Sequence, residues 1–314
     1  MILLLVLFII GILLLLKCAD LFVDGASGLA KRFGISAAVI GFTVVAFGTS
    51  LPELVVSAGA SLSGSSNLAL GNVIGSNVVN IAFILALCSV LMPQLWSLTE
   101  RKRQSQGLVL MFVATAVFLF IAWDGMISRF DGIILLCAFA VALFIIWRSA
   151  KQKDEGDEIE ELTAPVTGYR DIWMTLFGLV GVIIGAHLVV SSSEEIALLL
   201  GVSEFIIAVT IVAIGTSLPE LVTSIVAIMK GEFAISAGNI LGSNLFNILM
   251  ILGVSSLILP LTIPNLNDLV LLALFTLAVL PFLTGREIIT RLWGVVLMIG
   301  YIFYVLYYAG MIAL

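Results

Sequence analysis

The sequence predicts an all-α integral membrane protein, with ten transmembrane helices arranged as two inverted-topology repeats of five. Three observations predict it. Of the 314 residues, 61% are apolar and only 11% charged, and the mean hydropathy is +1.25, so polar surface enough to cover a water-soluble globule is missing. The apolar residues fall in runs of about 20, the length that crosses a hydrocarbon core of roughly 30 Å as a helix. The chain also repeats itself: displaced by 167 positions, Ile35–Pro93 lies on Val202–Pro260 without a gap, and 27 of the 59 pairs are identical.

The spans follow in order from the apolar runs and their polar or Gly/Pro breaks, at about 2–24, 36–62, 66–92, 107–123, 131–149, 172–198, 203–229, 233–259, 267–284 and 289–312. The first run has no basic leader and is followed directly by further spans, so it reads as a span and not a signal peptide. The second and third spans form one motif region (35–93), and the seventh and eighth form its copy (202–260). Between the groups lies a polar stretch, 151–171, carrying Asp154, Glu155, Asp157, Glu158, Glu160 and Glu161. It divides the chain into a first half, 1–150, and a second, 172–314. Such an acidic run reads as a solvated linker, and replacing Glu158 or Glu160 should do little.

Basic residues fix the orientation. With the N-terminus outside, the inside loops hold Lys31, Arg32, Arg101, Lys102, Arg103, Arg148, Lys151, Lys153, Arg170, Lys230, Arg286 and Arg291, while the outside loops hold Arg129. That bias is the positive-inside pattern for an even number of spans. Both termini are then extracellular and the linker cytoplasmic. Five spans per half is an odd number, so the second half enters from the opposite side, which is the build of many secondary transporters.

Other classes fall away. A net charge of −6 without a basic patch argues against nucleic acid as a partner. Cys18, Cys88 and Cys137 are odd in number and lie inside apolar runs, which argues against a disulfide framework. His187 is the single histidine, and no nucleophile–base pair is apparent, so neither an enzyme nor a bound cofactor is expected. Asp20, Asp24, Glu194 and Glu195 lie toward the ends of the first and sixth spans, where they line an ion path or reach the interface. The aromatic residues read as lipid contacts and interface anchors.

The chemistry lies in the repeated motifs. Thr49-Ser50-Leu51-Pro52-Glu53-Leu54-Val55 returns as Thr216-Ser217-Leu218-Pro219-Glu220-Leu221-Val222. Gly71-Asn72-x-x-Gly75-Ser76-Asn77-x-x-Asn80 returns as Gly238-Asn239-x-x-Gly242-Ser243-Asn244-x-x-Asn247. Apolar composition alone matches Leu to Val, not Glu, Pro, Asn and Gly. A carboxylate at mid-membrane depth is costly and faces a cavity, a partner or an ion. No basic residue lies at comparable depth in the neighbouring spans, so a cation supplies the opposing charge. Thr49, Glu53 and Ser57 are four apart and share a helix face, as do Thr216, Glu220 and Ser224. Pro52 and Pro219 break the helix and free carbonyls around Ala46–Thr49 and Ala213–Thr216 for an ion. Gly71, Gly75, Gly238 and Gly242 form small-residue seams that let helices approach closely. Carboxylates, hydroxyls, amide oxygens and carbonyls, without sulfur or imidazole, select Ca²⁺ or Na⁺ over zinc or copper.

The paired GTSLPE and GNxxGSN segments resemble the two alpha-repeats of sodium/calcium exchangers, in the calcium/cation antiporter superfamily, and the chain looks like a compact prokaryotic member. The resemblance implies that the second, third, seventh and eighth helices enclose the ion sites and that the first and sixth slide during alternating access. It implies as ligands Ala46, Thr49, Ser50, Glu53, Ser76 and Asn80, then Ala213, Thr216, Ser217, Glu220, Ser243 and, by symmetry, Asn247. Glu53 and Glu220, with carbonyls of Thr49 and Thr216, would hold Ca²⁺; Na⁺ would share the glutamates and use the hydroxyls. Some relatives carry an Asp where this chain has Asn247, and an amide cannot balance a charge. Exchange of three Na⁺ for one Ca²⁺, as the resemblance implies, moves one net charge per cycle. The leading expectation is Na⁺/Ca²⁺ antiport in the cell membrane. Its runner-up is a H⁺/Ca²⁺ or K⁺-dependent Na⁺/Ca²⁺ antiporter, and a cation channel is the reading from a different class. The expected partners are these ions and the lipid bilayer; one chain supplies both halves of the site, which is compatible with a monomer.

Overall fold

The computed structural model describes residues 1–96, 98–150, 169–202 and 213–308. Among these it is built from helices: α1 (Ile2–Phe33), α2 (Ala37–Thr49), α3 (Leu51–Leu62), α4 (Ser66–Leu91), α5 (Gln104–Asp124), α6 (Arg129–Ser149), α7 (Arg170–Leu199), α8 (Leu218–Met229), α9 (Phe233–Ile258), α10 (Leu266–Thr284) and α11 (Glu287–Tyr308). Eight of them are long and apolar enough to cross a membrane, and α2 with α3, bent by 45° at Ser50, makes a ninth. α8 is a shorter apolar helix of 12 residues. The beginning of the expected seventh span, 203–212, lies outside the described residues, as does most of the linker, 151–168.

The apolar run alone misplaces one boundary. α1 continues to Phe33, nine residues past the expected end, and its 32 residues extend about 48 Å, more than the hydrocarbon core requires. It stops at Gly34, which adopts φ 62°, so that the Ile35 amide donates back to the Ala30 carbonyl at 3.1 Å. α7 ends in the same way at Gly201, with φ 79°. These two long helices lie against one another through glycines. A Cβ built at Gly25 would stand 2.5 Å from the Thr175 amide nitrogen, and one at Gly178 2.6 Å from that of Phe22, so only glycine permits the approach.

α4 and α9 form the centre. Of their most apolar windows 78% and 83% is buried, against 17% for α1 and 33% for α7. α9 crosses α2 as closely as α1 crosses α7: a Cβ at Gly242 would lie 2.5 Å from the Phe42 carbonyl oxygen. Gly238 and Gly242 thus form the expected close seam. Gly71 and Gly75 meet nothing within 4 Å, but the positions that repeat Ala38 and Phe42 are 205 and 209, which lie outside the described residues.

Two further contacts tie the ends together. β1 (Met126–Ile127) pairs antiparallel with β2 (Leu261–Thr262), joining the loop after α5 to the loop after α9. At another place Lys230, after α8, bridges to Asp20 at 2.7 Å and Asp24 at 2.6 Å on α1, and Ser27 donates to Glu232 at 2.6 Å. Asp20 and Asp24 therefore hold a lysine. These hydrogen bonds and charges raise the Lys230 pKa despite partial desolvation, which acts the other way.

The aromatic residues divide, which corrects their reading as lipid contacts throughout. Trp123, Trp147 and Trp173 are exposed, as expected of anchors. Trp96, Phe118 and Phe282 are fully buried; Trp96 stacks on Phe282 at 5.4 Å and donates its indole N–H to Ser89. An indole with a hydrogen-bond partner packs without penalty.

Candidate ion-binding site

The two broken helices meet at the centre of the molecule. Ser50 and Ser217 lie at the breaks, with φ/ψ of −85°/6° and −88°/7°. Pro follows each within the first two positions of the new helix, where its missing N–H costs nothing. Glu53 and Glu220 fall in the first turns of α3 and α8, beside the positive end of the helix dipole, which favours a carboxylate there. Thr49 therefore stands on α2, before the bend, and not on one continuous face with Glu53 and Ser57 as the spacing of four suggests.

Each carboxylate is addressed by the break of the other half. Ser50 donates to Glu220 Oε1 at 2.9 Å, and Ser217 donates to Glu53 Oε1 at 3.2 Å. The hydroxyls of Thr49 and Thr216 bear electrostatically on Glu220 and Glu53 in the same crossed sense. Glu220 Oε1 also receives Ser243 at 3.5 Å. The two glutamates are fully buried and close enough to feel each other's charge.

Polar atoms remain unmatched. Glu53 Oε2 and Glu220 Oε2 are buried without a hydrogen-bond partner among the described residues. So are both amide atoms of Asn80 and of Asn247. A buried acceptor left unpaired costs roughly 1–3 kcal/mol and more when charged, so an oxygen set of this kind fits a cation that completes it. Asn80 opens a π-helical stretch, Asn80–Leu85, and Asn247 lies in its counterpart, Phe246–Ile251. Wide turns of this sort are frequent at functional sites.

The sodium/calcium exchanger protein family model matches residues 3–148 and 171–310. The chain belongs to the sodium/calcium exchanger family. The sodium/calcium exchanger MaX1 of Methanosarcina acetivorans is 33% identical over 338 residues, covering 94% of this chain and 95% of that protein. The inner membrane protein YrbG of Escherichia coli is 38% identical over 263 residues, 81% and 79% of the two chains. A solved structure of the sodium-calcium exchanger NCX_Mj matches with a TM-score of 0.81 and 31% identity over 96% of this chain and 97% of that one. This chain is accordingly a multi-pass membrane protein of the exchanger family and not an enzyme.

Most of the exchanger residues expected from sequence converge. Thr49, Ser50, Glu53, Ser76, Asn80, Ser217, Glu220, Ser243 and Asn247 are buried at the junction of α2, α3, α4, α8 and α9. Thr216 is partly exposed, and Ala213 is described by its backbone alone, in the short turn Ala213–Gly215. The Ala46 carbonyl still accepts from the Ser50 amide at 3.1 Å, because the helical ladder runs up to the break before stopping, so its second lone pair is what remains for an ion. Sequence reasoning found Asn72 and Asn239 in the repeated GNxxGSN motif without making them ligands. Each bridges to the backbone of the glutamate 19 residues earlier, Asn72 to the Glu53 carbonyl at 3.3 Å and Asn239 to that of Glu220 at 3.4 Å. The identical Glu-to-Asn interval in both repeats was the available signal.

Proposed function

We propose that this chain exchanges Na⁺ for Ca²⁺ by alternating access at one site shared by Glu53 and Glu220. The observation that carries the reading is the crossed pair of bonds, Ser50 to Glu220 and Ser217 to Glu53, which leaves one oxygen of each buried carboxylate unpartnered. Two negative charges balance one Ca²⁺, and the same charges serve Na⁺ in turn, so occupancy by one ion excludes the other. Carbonyls of Thr49 and Thr216 complete the Ca²⁺ site; Ala46, Ser50, Ser76, Asn80, Ala213, Ser217, Ser243 and Asn247 contribute to the Na⁺ positions.

The architecture proposed with it is ten spans in two inverted halves, 1–150 and 172–314, joined by a cytoplasmic linker over 151–171, with both termini extracellular in the cell membrane and one chain as the working unit. Contacts between loops support the inversion. Ser66, at the start of α4, bonds to Thr262 in the loop after α9, beside the strand pair with the loop after α5. Charge counting assigns all three segments to the outside. The repeat-equivalent of the α3–α4 turn is the α8–α9 turn, and there Lys230 and Glu232 bind the distal part of α1, which charge counting assigns to the inside.

The test is ⁴⁵Ca²⁺ uptake into proteoliposomes loaded with Na⁺, with pH clamped and K⁺ absent. Uptake that follows the outward Na⁺ gradient and collapses without it is the expected result. Uptake that ignores Na⁺ and follows an imposed pH gradient replaces Na⁺ by H⁺ as the counter-ion, and Ca²⁺ current with no exchanging ion makes the chain a channel.

A further inference from the structure

We infer that Asn239 is a positioning residue for the ion site: it takes the proton of the Thr49 hydroxyl and so turns the lone pairs of that oxygen toward the cation. The inference rests on the proposed site and adds a residue and a task to it.

Asn239 is fully buried on α9 and touches three groups from both halves of the chain. Its Nδ2 donates to Ser224 Oγ at 3.0 Å and to the Glu220 carbonyl at 3.4 Å. Its Oδ1 lies 3.0 Å from Thr49 Oγ1. The Glu220 carbonyl is an acceptor only, so it fixes which end of the amide faces it. With Nδ2 there, Oδ1 faces Thr49 and can only accept. The reverse orientation would set two acceptors against each other at Glu220. Thr49 is therefore the donor in this pair.

A threonine hydroxyl has one proton and two lone pairs. The Glu220 carboxylate competes for the same proton. When a cation lies against Glu220, a proton aimed at that carboxylate is repelled by the ion; Asn239 offers it a neutral acceptor 3.0 Å away. The oxygen then presents lone pairs to the space that Glu220 also faces. Without Asn239, the nearest remaining neutral acceptor is the Ala46 carbonyl at 3.4 Å, which already receives the Ser50 amide.

The repeat-equivalent residue completes only part of this arrangement. Asn72 donates to Ser57 Oγ at 2.9 Å and to the Glu53 carbonyl at 3.3 Å, but no bond joins it to Thr216 among those described, and Thr216 is partly exposed where Thr49 is buried. Among the described bonds, the full arrangement is therefore seen at Thr49.

The experiment is a double-mutant cycle read in reconstituted ⁴⁵Ca²⁺/Na⁺ exchange: wild type, Asn239→Ala, Thr49→Val and the double variant, with Thr49→Ser as the conservative control and melting temperature in detergent recorded for each. The expected result is that Asn239→Ala raises the Ca²⁺ KM about tenfold, on the scale of one lost hydrogen bond, with a smaller change in maximal rate. Thr49→Val raises it comparably, Thr49→Ser stays near wild type, and the double variant is no worse than the poorer single one. A purely structural role for Asn239 would lower stability and maximal rate and add in full to Thr49→Val. Additive KM effects, or an unchanged KM in Asn239→Ala, overturn the inference while leaving the ion site standing. An unchanged KM in Thr49→Val takes the Thr49 hydroxyl out of the ion site and likewise overturns the inference, while the Thr49 carbonyl and the two glutamates stand.

Discussion

Replacing Gly242 by alanine tests how the crossing of α2 and α9 sets the ion site. A Cβ at Gly242 would stand 2.5 Å from the Phe42 carbonyl oxygen and 2.7 Å from the Ala46 Cβ. Ordinary contact begins near 3.4 Å, so α2 must retreat by about 0.9 Å. The obstacles are a backbone oxygen and a Cβ, and neither can swing away. Ala46 lies one turn before Ser50 on the same helix, so the displacement carries Thr49 and Ser50 with it. Their bonds to Asn239 at 3.0 Å and Glu220 at 2.9 Å then stretch beyond hydrogen-bonding range. Overpacking of this kind costs about 1–3 kcal/mol of stability. Loss of geometry at the site costs more: a misplacement of about 1 Å is enough to reduce turnover on the order of 100-fold. The assay is Na⁺-driven ⁴⁵Ca²⁺ uptake beside melting temperature in detergent. Gly300→Ala is the control, since its Cβ would meet Phe275 at an ordinary 3.6 Å. Gly242→Ala should fold with a modestly lowered melting temperature and lose most exchange, while Gly300→Ala keeps both. A Gly242→Ala protein with wild-type KM and rate would refute the claim that this crossing positions Thr49 and Ser50.

Other consequences are equally direct. Ser50→Ala and Ser217→Ala each remove a hydrogen bond to a buried carboxylate, worth about 1.5–3 kcal/mol, and should weaken apparent Ca²⁺ affinity by roughly 10- to 150-fold; equal affinities in variant and wild type would detach the crossed bonds from ion binding. Lys230→Ala removes partly exposed ion pairs and should change stability by no more than about 1 kcal/mol, less in high salt. Because the folded pKa of Lys230 is raised, its contribution is fully present below the unfolded value near 10.4 and fades only as pH climbs through the folded one. The difference in melting temperature between Lys230→Ala and wild type should therefore be flat from pH 7 to 9 and shrink in stronger alkali; a difference that vanishes on this neutral side would contradict the pairing. For topology, a membrane-impermeant maleimide should label Ser65→Cys from outside intact cells and Lys230→Cys only after lysis, with the unsubstituted chain as the blank. Labelling of both from the same side would end the inverted arrangement.

Much of this was legible in the sequence because membrane helices obey a simple length rule and the repeat duplicates its polar residues. The end of α1 was not, since its last nine residues are less apolar and are held by Glu232, which accepts from Ser27 across 205 positions. The burial of Trp96 escaped notice because an indole suits both the interface and the core, and the choice was made by Phe282 and Ser89. At the site, local spacing brought forward residues that the fold gathers together, but paired them with the wrong partners. Thr49 and Glu53 look like neighbours on one helix; the break at Ser50 turns them apart, and each half completes the other across 164 to 190 positions. Pairing at that distance leaves no trace in a single sequence except the symmetry of the motifs.

The most direct measurement is equilibrium binding of ⁴⁵Ca²⁺ to the purified chain with Na⁺ as competitor, in wild type, Glu53→Gln and Glu220→Gln. Two buried carboxylates sharing one ion predict a single Ca²⁺ per chain, displaced competitively by Na⁺ and abolished by either substitution, because each removes half the charge opposing the ion. Undiminished Ca²⁺ binding in either glutamine variant would contradict the account.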